Sequence, residues 1–135
     1  MKFKTYLSES KYSNLYHVAS TKVTTKIKKD GIVPQKKPSW TGAMGQDIRD
    51  CKDCVYAFTD LKDAIRWAFK AEWDNKGTKF NIISFDGSGS KWDKDTHFEA
   101  SMAEGEWIRT KDTIQSDKIK DIQPMSPKLA RSAVQ

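Results

Sequence analysis

This 135-residue chain is defined first by scarcity: two cysteines, two histidines and no long apolar run. A membrane-spanning helix needs about 20 consecutive apolar residues, and no stretch approaches that. The N-terminus also lacks the apolar core of a secretory signal. The expectation is a soluble protein, not exported by the general route and without a membrane partner. Cys51 and Cys54 form one C-x-x-C with no second pair. A structural zinc site takes four Cys or His ligands, commonly as two such pairs. His17 and His97 stand at no spacing that completes one, so no metal is expected. The cysteines read as two ordinary thiols of a reducing compartment. There is no internal repeat, and the length fits one domain with a modest core.

Charge is present but uneven. Residues 1–50 carry ten Lys/Arg against four Asp/Glu, and the remainder is formally neutral, so the whole +6 excess lies in the first part. A basic flank can attract nucleic acid or an acidic surface; it can equally be a solvated face. The aromatic and basic interleaving of a single-strand groove is not seen.

The chain is organised around Val55-Tyr56-Ala57-Phe58, a short run of strand character leading directly into a helix. Thr59 or Asp60 is suited to cap that helix. Leu61, Ala64, Ile65, Ala68, Phe69 and Trp73 recur at three- and four-residue steps, predicting one buried helical face. Asp60 and Asp63 complement the helix dipole, and Asn75-Lys76-Gly77 supplies the stop. Upstream, Leu15 to Ser20 reads as a strand. Thr21 to Asp30 follows as a helix with Val23 and Ile27 inward and Gly31 as its C-terminal cap. Gln35 to Cys54 is a long basic loop of a length that is usually functional. Downstream strands are predicted over Lys79 to Phe85, Glu104 to Arg109 and Asp117 to Ile122. Asp86 to Ser90 forms a turn, and residues 126–135 read as a frayed tail or a short helix. Helices early and strands late predict an α+β domain.

His17, Tyr56 and Glu106 stand out by type and by placement on strands. Singly, each has a plainer reading: a hydrogen-bonded structural His, a core Tyr with its hydroxyl at the surface, a solvent-facing Glu. In this order and context they resemble the ADP-ribosyltransferase fold, in the class whose motifs carry His, Tyr and Glu. The likeness rests on Leu15-Tyr16-His17-Val18-Ala19-Ser20, on Val55-Tyr56-Ala57-Phe58-Thr59-Asp60 and on Glu106-Trp107-Ile108-Arg109, and as an order of elements covers roughly residues 14–124. It implies a split β-sheet with flanking helices over residues 10–125 and NAD as the substrate cleaved between nicotinamide and ribose. A carboxylate near the ribose 2′-hydroxyl would stabilise the oxocarbenium-like state, the role implied for Glu106. His17 would hold the adenosine-side ribose, Ser20 would support the same pocket, and Tyr56 would stack on nicotinamide. Glu104, which makes the local pattern Glu-x-Glu, would lie on the acceptor side. The family usually has glycine after the motif His, where this chain has Val18, and no Ser-Thr-Ser motif occurs. Trp92 to Glu99 could line the acceptor side, but is read as a polar turn anchored by Trp92 and Phe98.

Residues 1–9, with Phe3, Tyr6 and Leu7 at helical steps among lysines, resemble the capsid-targeting leader of internal head proteins of T-even-type phages. Leu7-Ser8-Glu9 fits its cleavage site. The resemblance implies packaging in the virion head, entry into the host cytoplasm with the DNA, and a mature chain from Ser10. The combined expectation is a phage-delivered mono-ADP-ribosyltransferase acting on a host macromolecule. The alternative is a non-catalytic injected protein that binds and inhibits a host defence factor. A third possibility, nucleic-acid binding through the basic first part, would carry a steep salt dependence.

Overall fold

The computed structural model describes residues 12–35, 51, 53–95 and 98–133. The cleavage-site residues Leu7 and Glu9, the loop residues 36–50 and His97 lie outside them. Among the described residues, six strands and three α-helices form an α+β domain: β1 (Leu15–Ser20), β2 (Val55–Phe58), β3 (Phe80–Phe85), β4 (Asp93–Lys94), β5 (Trp107–Thr110) and β6 (Ile119–Pro124). The helices are α1 (Thr24–Asp30), α2 (Leu61–Asp74) and α3 (Pro127–Ala133). All neighbouring strands are antiparallel, in the order β4-β5-β2-β1-β3-β6.

The ladders differ in extent. β1 and β3 pair along their whole length, from Leu15↔Phe85 to Ser20↔Phe80, and β2 and β5 pair from Val55↔Thr110 to Phe58↔Trp107. Between β1 and β2 the only register pair is Tyr16↔Phe58. The sheet therefore consists of two well-bonded halves, β4-β5-β2 and β1-β3-β6, that part in the middle beyond that point.

Side chains alternate across the strands and supply two apolar clusters. Leu15, Ala19, Val55, Ala57, Ile83, Phe85 and Ile108 pack with Ile27 of α1 and with Ile32 and Ile114. Ile32 and Ile114 exchange backbone hydrogen bonds of 2.8 and 2.9 Å. Gly31 ends α1 at φ 85°, with Ile114's carbonyl oxygen where a Cβ would stand, so both its conformation and its space require glycine. On the other face, Val18, Phe58, Phe80 and Ile82 pack under Ala64, Ile65, Ala68 and Ala71 of α2, with Leu129 of α3 at the edge.

The strand over Val55–Phe58 and the helix after it form as expected, with Asp60 as the cap: its side chain accepts from the Lys62 N–H. The predicted face of α2 needs correction. Phe69 and Trp73 are 59% and 73% exposed. The helix meets the sheet through Ala64, Ala68 and Ala71, and at roughly 100° per residue Phe69 and Trp73 fall beyond that contact. Trp67, on the other side, packs against the cluster instead, near Phe58 and Trp107. The predicted helix over Thr21 to Asp30 opens as a 3-10 turn, Thr21–Val23, before α1. Trp92 anchors its turn as expected, donating to the Gly87 carbonyl at 2.8 Å and packing near Tyr12 and Phe85.

Candidate functional site

The strand order sets β5, β2 and β1 side by side. It thereby brings Glu106, at the entry to β5, Tyr56 on β2 and His17 on β1 onto three adjacent strands. His17 lies where the β1–β2 ladder has opened, and its Nδ1 lies 2.7 Å from the Tyr56 carbonyl oxygen. A carbonyl only accepts, so Nδ1 carries the proton and the neutral ring leaves Nε2 as an acceptor. Burial pushes the His17 pKa below its ordinary range, and the bond to Tyr56 only partly opposes this. The ring thus bridges the two halves of the sheet in place of a backbone bond.

His17 shares its face with Leu15 and Ala19, whereas Tyr56 shares the opposite face with Phe58. The two rings leave opposite faces of neighbouring strands and meet at the β2 backbone. Tyr56's hydroxyl is tied down, accepting from the Cys51 N–H at 2.7 Å and donating to the Cys51 carbonyl at 3.2 Å. Burial raises the Tyr56 pKa, and Asp95 adds to this; the Cys51 backbone and the Arg109 guanidinium act against it. Arg109 is Tyr56's cross-strand partner and Asp93 is Arg109's.

The reading of Cys51 and Cys54 as free thiols is corrected here: they form a disulfide. The bridged C-x-x-C sets the approach to β2 and holds the backbone that grips Tyr56. Ser20 is fully buried at the end of β1, on the face of Val18 and Phe80, so it does not join His17. Its Oγ has no hydrogen-bond partner among the described residues. Val18 is buried in the cluster beneath α2.

The Glu104–Glu106 turn has the most tightly built geometry. Asp63 of α2, 1% exposed, accepts from the backbone N–H of Glu104 at 3.0 Å and of Gly105 at 2.9 Å, one on each carboxylate oxygen. Thr59 Oγ1 accepts from the Glu106 N–H at 2.8 Å, and the Thr59 N–H donates to the Glu106 carbonyl at 3.0 Å. Arg66 donates to the Glu104 carboxylate at 3.0 Å and lies 3.8 Å from Asp63. These bonds explain why regular β5 begins at Trp107 and not at the predicted Glu104. A Cβ on Gly105 would stand 2.6 Å from Thr59 Oγ1 and 2.9 Å from Asp60 Cβ.

The arrangement offers a carboxylate at a fixed turn, a neutral imidazole with one free acceptor and a restrained phenol ring. Among the described residues no group of three His, Cys, Asp or Glu side chains is gathered to hold a cation, and no helix is long and apolar enough to cross a membrane. Sequence reasoning missed the structural parts played by Thr59, Asp63, Arg66 and Arg109. Thr59 and Asp63 carried a signal, but one that also fits a helix start. The chain matches no protein-family model and no curated protein.

Proposed function

We propose that the protein is a small mono-ADP-ribosyltransferase that takes ADP-ribose from NAD and transfers it to a host macromolecule. The observation that carries this reading is the break in the β1–β2 ladder bridged by the His17 ring, with Tyr56 on β2 and Glu106 in the turn that leads into β5. Nε2 of His17 accepts a ribose hydroxyl, and the Tyr56 ring, held by its hydroxyl, offers its face to nicotinamide. Glu106 hydrogen-bonds the ribose 2′-hydroxyl and stabilises the cation that forms as the glycosidic bond breaks. Glu104, paired with Arg66, flanks the acceptor side. Delivery follows the leader resemblance: packaging in the phage head, then entry into the host cytoplasm.

Titration of the full chain with NAD, followed by Trp fluorescence, tests the pocket. Saturable binding that is lost in Tyr56→Ala supports it; no binding at millimolar NAD removes the enzyme reading. Val18 favours the second reading, a non-catalytic injected inhibitor of a host defence factor, because it stands where the family has glycine. It is buried beneath α2, and on this reading its side chain takes the space that glycine leaves to nicotinamide. On that reading NAD does not bind, and the protein acts only through a host protein.

A further inference from the structure

We infer that Asp63 is a positioning residue, one that sets where the Glu106 carboxylate stands by clamping the Glu104–Glu106 turn onto α2. This rests on the transferase reading above. An acid in the first turn of a helix normally needs no explanation beyond the helix dipole. Asp63 differs in being fully buried and in spending both oxygens on a distant segment, the backbone N–H groups of Glu104 and Gly105.

The clamp has three further parts that act on the same three residues. Arg66, one turn along α2, neutralises Asp63 and grips the Glu104 side chain, so the side chain and the backbone of Glu104 are held from one helix. Thr59 closes the far end through two hydrogen bonds with the Glu106 backbone. Gly105 lets the turn lie against Thr59 and Asp60 at a distance no side chain permits. The turn is thus fixed at all three of its N–H groups by side chains of the β2–α2 junction. That same junction follows Tyr56 by three residues. One rigid unit therefore carries both Tyr56 and the support of Glu106, and the carboxylate is placed relative to the ring without the two touching.

A carboxylate that stabilises a developing cation works only at a fixed position, and a displacement of about 1 Å costs on the order of 100-fold in rate. Asp63→Asn keeps the shape but turns one acceptor into an N–H donor that faces the turn's own N–H. It therefore loosens the turn without opening a cavity. Asp63→Ala serves as the fallback if Asn refolds the turn around a flipped amide.

The experiment compares the full-length wild type, Asp63→Asn, Asp63→Ala and Glu106→Gln. It reads amide hydrogen exchange at Glu104, Gly105 and Glu106, with Ile82 and Ile83 of β3 as the reference for the global fold. NAD affinity and the rate of label transfer from NAD are measured beside it. The expected result for Asp63→Asn is exchange at Glu104 and Gly105 about tenfold faster or more, with β3 unchanged. NAD affinity stays within about twofold while transfer falls about 10- to 100-fold. Unchanged exchange at Glu104 and Gly105 in both Asp63 variants overturns the clamp. Faster exchange with undiminished transfer overturns the positioning role and leaves Asp63 structural. A wild type that neither binds NAD nor transfers label overturns the transferase reading itself, and this inference with it, whatever the exchange rates.

Discussion

His17 shows how a single side chain can serve the fold and the proposed chemistry together. Its Nδ1–H substitutes for a sheet hydrogen bond, and burial keeps the ring neutral. The unfolded chain takes up this proton at about pH 6.5, while the folded chain resists it until a lower pH. Between those points the unfolded state binds more protons, so stability rises with pH across that window and is fully present above it. Urea denaturation between pH 5 and 7 should therefore show stability falling as pH falls, by at most about 1.4 kcal/mol per pH unit. The slope should be shallower in His17→Gln. Asp86, whose carboxyl the Ser88 N–H and hydroxyl hold below its ordinary range, titrates in more acidic solution and does not overlap. For Glu106→Gln the expected outcome is NAD binding retained and label transfer reduced by about 100- to 1,000-fold, read in a single-turnover assay. Gly105→Ala forces a methyl against Thr59 and Asp60. It should cost about 1–3 kcal/mol of stability in the same denaturation measurement and slow transfer along with it.

At the scale of the element, α2 was legible in part. Its start, its length and its stop follow from Asp60, the apolar spacing and Asn75, whose side chain also donates to the Ala71 carbonyl. Its buried stripe did not follow fully, because spacing alone does not distinguish a large aromatic at the rim from one beneath the helix. Ala64, Ala68 and Ala71 form the stripe that meets the sheet, and Phe69 and Trp73 lie around the helix from it and face outward. Two substitutions separate these positions. Ile65→Ala should destabilise by about 2–5 kcal/mol, whereas Trp73→Ser should stay within about 0.5 kcal/mol, both by urea titration. A large loss for Trp73→Ser would return that residue to the core and contradict the helix orientation described here.

Across the whole molecule, two halves of one sheet share a single register pair at the centre, and clusters on both faces hold them together. The two halves are held together because α1 packs on one face and α2 and α3 on the other, not because β1 and β2 are well bonded. The Cys51–Cys54 disulfide works at this scale too, since it fixes how the chain enters β2. Closing so short a loop contributes about 2 kcal/mol through the unfolded state. Thiol titration of the denatured protein without reductant should find no free thiol. Cys51→Ser with Cys54→Ser should lower stability by about that amount and loosen the backbone that grips Tyr56.

The strands Leu15–Ser20 and Val55–Phe58, the helix after them and the α+β class were settled by local periodicity and capping, which act within a few residues. Which residues meet across the sheet was not. Asp63 lies 41 residues before Glu104 and Thr59 lies 47 before Glu106, and no local pattern encodes such a pairing. Sequence placed His17, Tyr56 and Glu106 on strands, and the structure leaves Glu106 in the turn one residue before β5. Only the strand order made those strands neighbours, and only the alternation of side chains divided His17 from Tyr56 across the faces. Cys51 and Cys54 likewise announced a close pair, but the approach of the chain to β2 decided that they are bonded. Short-range stereochemistry determined the elements; long-range packing, which selects one arrangement of them, determined the site.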